Sequence, residues 1–98
     1  MSVKARVTIQ NRKGLHARAA AKVVKTATQY DAQVRVTRIP RAGETVDAQT
    51  VTATSILGLL MLAGETGVEI DLLATGVQEQ EVLNALVDLV NRKFDEPE

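Results

Sequence analysis

Gly14-Leu15-His16-Ala17-Arg18-Ala19-Ala20-Ala21 is where the pattern of this chain changes period. Before it, Val3, Ala5, Val7 and Ile9 alternate with Lys4, Arg6, Thr8 and Gln10, the period-two mark of a strand with one buried face. Asn11-Arg12-Lys13-Gly14 is polar and ends in glycine, a loop. After it, Ala20, Val23, Val24, Ala27 and Tyr30 fall on one side of a helical wheel, and Arg18, Lys22, Lys25 and Gln29 on the other. A helix is therefore expected from Ala17 to about Tyr30. The only histidine of the chain, His16, stands at the strand-to-helix junction, where unpaired amides and the positive end of the helix dipole face it.

Working outward, Val34 and Val36 alternate with Arg35 and Thr37 in a second strand, which Pro40 should end. A third strand is expected within residues 45–52, with a bulge or break where the alternation slips between Ala48 and Val51. Thr54 or Ser55 caps a short helix from Ile56 to about Leu62, closed by Gly64 and Gly67. Val68, Ile70, Leu72 and Ala74 alternate in a fourth strand, and Gly76 breaks it. Val82, Leu83, Leu86, Leu89, Val90 and Phe94 follow helical spacing over roughly 78–94, and Asp95-Glu96-Pro97-Glu98 reads as a frayed tail. The order of elements fits an α+β fold, one antiparallel sheet with helices on one face, in a single domain spanning 1–98.

Composition narrows the function. Tyr30 and Phe94 are the only aromatics, so Val, Leu, Ile and Ala must build the core. The absence of cysteine excludes disulfides and thiol chemistry and fits a cytoplasmic location. No signal peptide is read at the N-terminus, and the longest apolar run, 56–63, is too short to span a bilayer. Residues 1–43 hold ten basic side chains against Asp31 alone, whereas 44–98 hold Arg92 and Lys93 against eleven acidic ones. This split suggests a basic docking face around His16 that steers acidic partners. A small nucleic-acid-binding module using the basic half is the weaker alternative, because the total charge is zero and stacking aromatics are nearly absent.

The surroundings of His16 suit a phosphoryl group. Gly14 allows close backbone approach, the helix start offers amides, and Arg18 offers a planar fork for phosphate oxygens. A phosphate there gains roughly 0.3–1 kcal/mol from the dipole and about 1.5–3 kcal/mol from a charge-assisted hydrogen bond. No second histidine exists for a zinc site, no nucleophile elbow appears, and there is neither a Walker-type loop nor an acidic metal cluster. No cofactor or metal is expected, and the phosphate must come from another protein. The second motif, Thr54-Ser55-Ile56-Leu57-Gly58-Leu59-Leu60-Met61-Leu62, reads as a capped core helix too short to bury all its sides. Some of Leu57, Leu60 and Met61 should therefore be exposed as a docking patch.

These residues resemble the HPr family of phosphocarrier proteins. Gly14-Leu15-His16-Ala17-Arg18-Ala19-Ala20 is similar to the family's Gly-Leu-His-Ala-Arg-Pro-Ala, with Ala19 in the usual proline place, and 55–62 looks like its serine-led helix. The resemblance covers about residues 3–94. It implies an open-faced β-sandwich with strand order 1-4-2-3 and three helices. It implies that His16 accepts phosphate on Nδ1 from enzyme I, which draws on phosphoenolpyruvate, and passes it to an enzyme IIA domain, with Arg18 assisting. Ala17, Lys22, Lys25, Leu57, Gly58 and Leu60 match partner-binding positions. Ser55 matches a serine phosphorylated by a dedicated HPr kinase/phosphorylase in some bacteria, where added charge would weaken recognition by acidic partners.

Two features depart from the pattern. Loss of the proline at position 19 softens the helix start slightly, and residues 38–49 look like an extension of the hairpin between strands two and three. The chain is thus expected to be a monomeric phosphoryl carrier, a substrate of enzymes and not itself an enzyme. The runner-up within the family is a regulatory nitrogen-branch carrier without sugar transport, toward which Ala19 and the Leu-Leu-Met-Leu helix tilt the reading. A reading from another class is a non-phosphorylated adaptor whose apolar helix binds partners.

Overall fold

The structure, a computed structural model, describes residues 1–97. Its elements are β1 (Ser2–Thr8), α1 (Ala17–Ala27), β2 (Gln33–Arg38), β3 (Gln49–Thr52), α2 (Ile56–Met61), β4 (Glu69–Thr75) and α3 (Glu79–Asn91), followed by a terminal turn, Lys93–Asp95. The strands form one antiparallel sheet in the order β1-β4-β2-β3. This is the order and element set that the resemblance implies.

The register explains the alternation seen in the sequence. Ala5, Leu72, Val36 and Val51 stand side by side across all four strands, as Val3, Ala74 and Val34 do across three. A one-residue slip would turn every one of these away from the core, so apolar burial fixes the pairing. α1 buries Ala19, Ala20, Val23 and Ala27, and α3 buries Val82, Leu83, Leu86, Leu89 and Val90 against the same core. The small residues of α1 let it lie close to its neighbours.

The opposite sheet face is polar. Asp71 on β4 is paired with Arg6 on β1, whose Nε and Nη2 donate at 2.7 and 3.0 Å, and Lys4 Nζ lies 3.3 Å away. These donors hold the Asp71 carboxyl below its usual range, the Arg6 hydrogen bonds first among the causes, although partial burial opposes them.

Three boundaries differ from expectation. α1 stops at Ala27 instead of continuing to Tyr30, because the Thr28 hydroxyl donates to the Lys25 carbonyl at 3.0 Å and closes the last turn. β3 carries no bulge: residues 35–38 pair with 49–52 in unbroken register, and Ala48 lies before the strand. The slip in alternation marks the strand's beginning. Residues 39–48 therefore do not lengthen the hairpin ladder but form a loop. The Glu44 carboxylate accepts from the Arg41 amide at 2.5 Å and from Arg38 at 3.2 Å, and Arg41 donates to the Thr66 carbonyl at 2.9 Å. Pro40, lacking an amide, keeps this segment off the ladder.

Candidate functional site

His16 is the N-cap of α1. Its backbone is extended (φ −79°, ψ −178°), its carbonyl accepts from Ala20 at 2.8 Å, and its Nδ1 accepts from the Arg18 amide at 3.2 Å. An amide can only donate, so Nδ1 carries a lone pair and the ring proton belongs on Nε2. Nδ1 thus faces the helix start, and the side chain stays 26% exposed.

The loop before it is tightly held. Gly14 takes φ +67°, its amide donates to Asn11 at 3.1 Å, and the Leu15 amide donates to Gly64 at 2.7 Å. Leu15 is buried. The loop is therefore fastened to the segment that follows α2.

The other face of the ring was not legible from the sequence. Nε2 is hydrogen-bonded to Glu96 Oε2, and the second oxygen of that carboxylate accepts from Asn11 Nδ2 at 2.8 Å. Asn11 is fully buried, and its Nδ2 also donates to the Gly14 carbonyl at 2.8 Å. The Glu96 side chain is only 8% exposed. Burial works to raise its carboxyl, but the hydrogen bonds from Asn11 and His16, helped by the charges of His16 and Lys22, hold it below its usual range. The expectation of a frayed tail is thus corrected through Glu96, and Glu98 lies outside the described residues.

The tail reaches the site by an unusual backbone. Lys93, Phe94 and Asp95 all take positive φ, at 58°, 56° and 58°. Left-handed conformation costs about 1–2 kcal/mol for each such residue. Burial of Phe94, which is fully enclosed, offsets part of that cost. Lys22 Nζ donates to the Phe94 carbonyl at 2.5 Å, and Arg92 Nε donates to Asp95 at 2.9 Å. Lys22, a position that the resemblance assigns to partner binding, is tied to this turn, and Lys25, assigned with it, is exposed.

Arg18 is exposed and, with Arg12, Lys13, Glu96 and Pro97, lines a cavity of about 140 Å³. Three basic side chains and the α1 start converge there, an arrangement suited to phosphate oxygens. Ala17 is exposed in the first turn. Ser55 caps α2, its hydroxyl accepting from the Gly58 amide at 3.0 Å. Ile56, Leu57, Leu60 and Met61 are exposed, Leu57 and Met61 at 71% and 70%, while Leu59 is buried. Gly58 is half-buried, and a Cβ on it would lie 3.1 Å from both Ser55 Oγ and Val51 Cβ, so glycine lets α2 sit close to β3. No cluster of His, Asp or Glu able to hold a metal occurs among the described residues, and no helix there is long and apolar enough to cross a membrane.

The family described as "PTS HPr component phosphorylation site" matches residues 3–92. The phosphocarrier protein HPr of Pseudomonas aeruginosa is 49% identical over 92 residues, covering 94% of each chain. The phosphocarrier protein NPr of Escherichia coli K12 is 41% identical, covering 98% of this chain and 99% of its own. The crystal structure of HPr-C-His from Thermoanaerobacter tengcongensis superposes with a TM-score of 0.81 at 35% identity, covering 98% of this chain and 99% of that one. The fold, the histidine at the helix start and these relatives together make the chain a member of the HPr/NPr family of phosphocarrier proteins of the phosphotransferase system.

Proposed function

We propose that this chain accepts a phosphoryl group on His16 Nδ1 from enzyme I and passes it to an enzyme IIA domain. The observation that carries the reading is the placement of Nδ1 as acceptor of an α1 amide. A phosphoryl group on that nitrogen would take over the Arg18 amide with one of its oxygens. The exposed guanidinium of Arg18 would meet another. Such contacts hold a transferable group without burying it, as a carrier requires.

The exposed face of α2, with Leu57 and Leu60 at its centre and Gly58 supporting it, would dock against apolar surface on both partners. Ala17 and Lys25 would lie at its basic margin, with Lys22 contributing charge from the edge of the site. Phosphorylation of Ser55 by a serine kinase would place negative charge beside that patch and weaken docking. The protein would work in the cytoplasm as a monomer and as a single domain.

A regulatory nitrogen-branch role is the second reading, favoured by Ala19 at the usual proline position. Relatives called HPr and relatives called NPr both match over nearly the whole chain.

The test is incubation with phosphoenolpyruvate and enzyme I. The wild type should gain one acid-labile phosphate and His16→Ala none. An adaptor with an incidental histidine would gain none in either form.

A further inference from the structure

Glu96 occupies the face of the His16 ring opposite the proposed phosphorylation point. Much of the chain's end is shaped to put it there. Three successive non-glycine residues adopt left-handed backbone, Phe94 plugs into the core, Lys22 holds the Phe94 carbonyl, and Asn11 holds the second carboxylate oxygen.

We infer that Glu96 is a positioning residue of the transfer reaction, acting through His16 Nε2 as the fixed counter-ion of the phosphorylated ring. The inference rests on His16 being the carrier residue. In the loading step the Nδ1 lone pair attacks the phosphorus of a phosphohistidine donor. The new N–P bond forms at Nδ1, and the donor's P–N bond breaks with its electron pair returning to the donor ring. The His16 ring becomes an N-phosphoimidazolium that keeps its Nε2 proton, hydrogen-bonded to the Glu96 carboxylate.

In the unloading step the acceptor nucleophile attacks phosphorus. The N–P electron pair returns to Nδ1, and a neutral ring leaves with its Nε2 proton never having moved. A protonated ring is the better leaving group, so holding that proton keeps the phosphate transferable at neutral pH. The carboxylate does not compete for the phosphate, because it meets Nε2 and not Nδ1.

The other charged groups near this pair are Arg12 and Lys13 from the β1–α1 loop and Arg18 and Lys22 from α1, while Asp95 on the terminal turn is taken up by Arg92 and Lys22. Glu96→Gln leaves all of them in place and keeps the side-chain shape. Glu96→Asp keeps the charge one methylene further away.

The three proteins are labelled with radioactive phosphoenolpyruvate and catalytic enzyme I, freed of donor, and followed for loss of phosphate between pH 5 and 9. At pH 7–8 the phospho-form of Glu96→Gln should lose phosphate about tenfold more slowly than the wild type, as expected for losing one charge-assisted hydrogen bond. The curves should converge in acid, where the ring is protonated without help. Glu96→Asp should lie closer to the wild type. Superimposable profiles for wild type and Glu96→Gln would overturn the inference. So would equal shifts in Glu96→Gln and Glu96→Asp, which would mark a contact of shape alone. A wild type that takes no label fails at the carrier reading itself and brings this inference down with it.

Discussion

A Cβ built on Gly14 would lie 2.4 Å from the carbonyl oxygen of Gly64. The two glycines bring the loop that presents His16 against the segment leaving α2, and the Leu15 amide bonds to that same carbonyl. A Cβ on Gly64 would in turn meet Ile9 Cδ1 at 2.8 Å and Leu15 Cβ at 3.2 Å. The histidine motif and the serine-led helix are therefore one mechanical unit, although about forty residues of sequence separate them.

Gly14→Ala should be destabilising on two counts, the left-handed backbone and the displaced carbonyl. A loss of about 2–4 kcal/mol is expected, read as a lower urea midpoint. Gly43→Ala is the matched comparison, because that residue also has positive φ (+89°) with nothing within 4 Å. It should lose only about 1–2 kcal/mol. Equal losses would show that the contact with Gly64 contributes nothing.

Arg18→Ala removes an exposed side chain and should change stability by no more than about 0.5 kcal/mol. Phosphoryl transfer should slow roughly tenfold or more, the size of one lost charge-assisted contact to the moving group. Rapid-quench labelling with enzyme I measures this directly. Wild-type rates in that variant would remove the arginine from the mechanism.

Ser55 carries two separable effects. Ser55→Ala deletes the cap that accepts from the Gly58 amide and should cost about 1 kcal/mol in thermal or urea unfolding. Ser55→Glu brings charge beside Leu57 and Leu60, and the apparent KM for this protein in the enzyme I reaction should rise several-fold. Unchanged KM in the glutamate variant would argue against a switch at this position.

Acid should weaken the fold through Asp71. Its carboxyl titrates lower when folded than the ordinary 3.8 because of Arg6, with Lys4 assisting. A group with a depressed folded value stabilises at pH above its unfolded value and loses that contribution as pH falls through the folded one. Wild-type stability should thus decline below about pH 4, and Asp71→Asn should flatten that limb while starting lower at pH 7. Urea midpoints across pH 2.5–7 decide the matter, and parallel curves would count against the Arg6–Asp71 pair.

The elements that could be read from sequence are those whose burial has a period. β1 and β4 alternate, α1 and α3 repeat at helical spacing, and the core they form is the one the register displays. The 39–48 loop has no such period. Its shape is held by the Glu44 carboxylate accepting from the Arg38 side chain and the Arg41 amide, which spacing does not reveal.

At the site, His16, Arg18 and the exposed α2 residues were legible because each sits beside a helix start or on a helix too short to bury them. Glu96 was not. It meets His16 from 80 residues away, and left-handed backbone at Lys93, Phe94 and Asp95 has no marker without glycine. In the sequence Asn11 is ordinary loop polarity, whereas full burial of its amide beside the ring makes it a brace.

The Lys93–Asp95 turn has a practical corollary for handling this molecule. Because Phe94 is sealed inside and the following carboxylate rests on the imidazole, clipping the polypeptide after Asn91 would both open a hole beneath α1 and strip the ring of its neighbour. Loss of the polypeptide beyond that point would then look, in any assay, like damage to the histidine motif that lies seventy-five positions earlier.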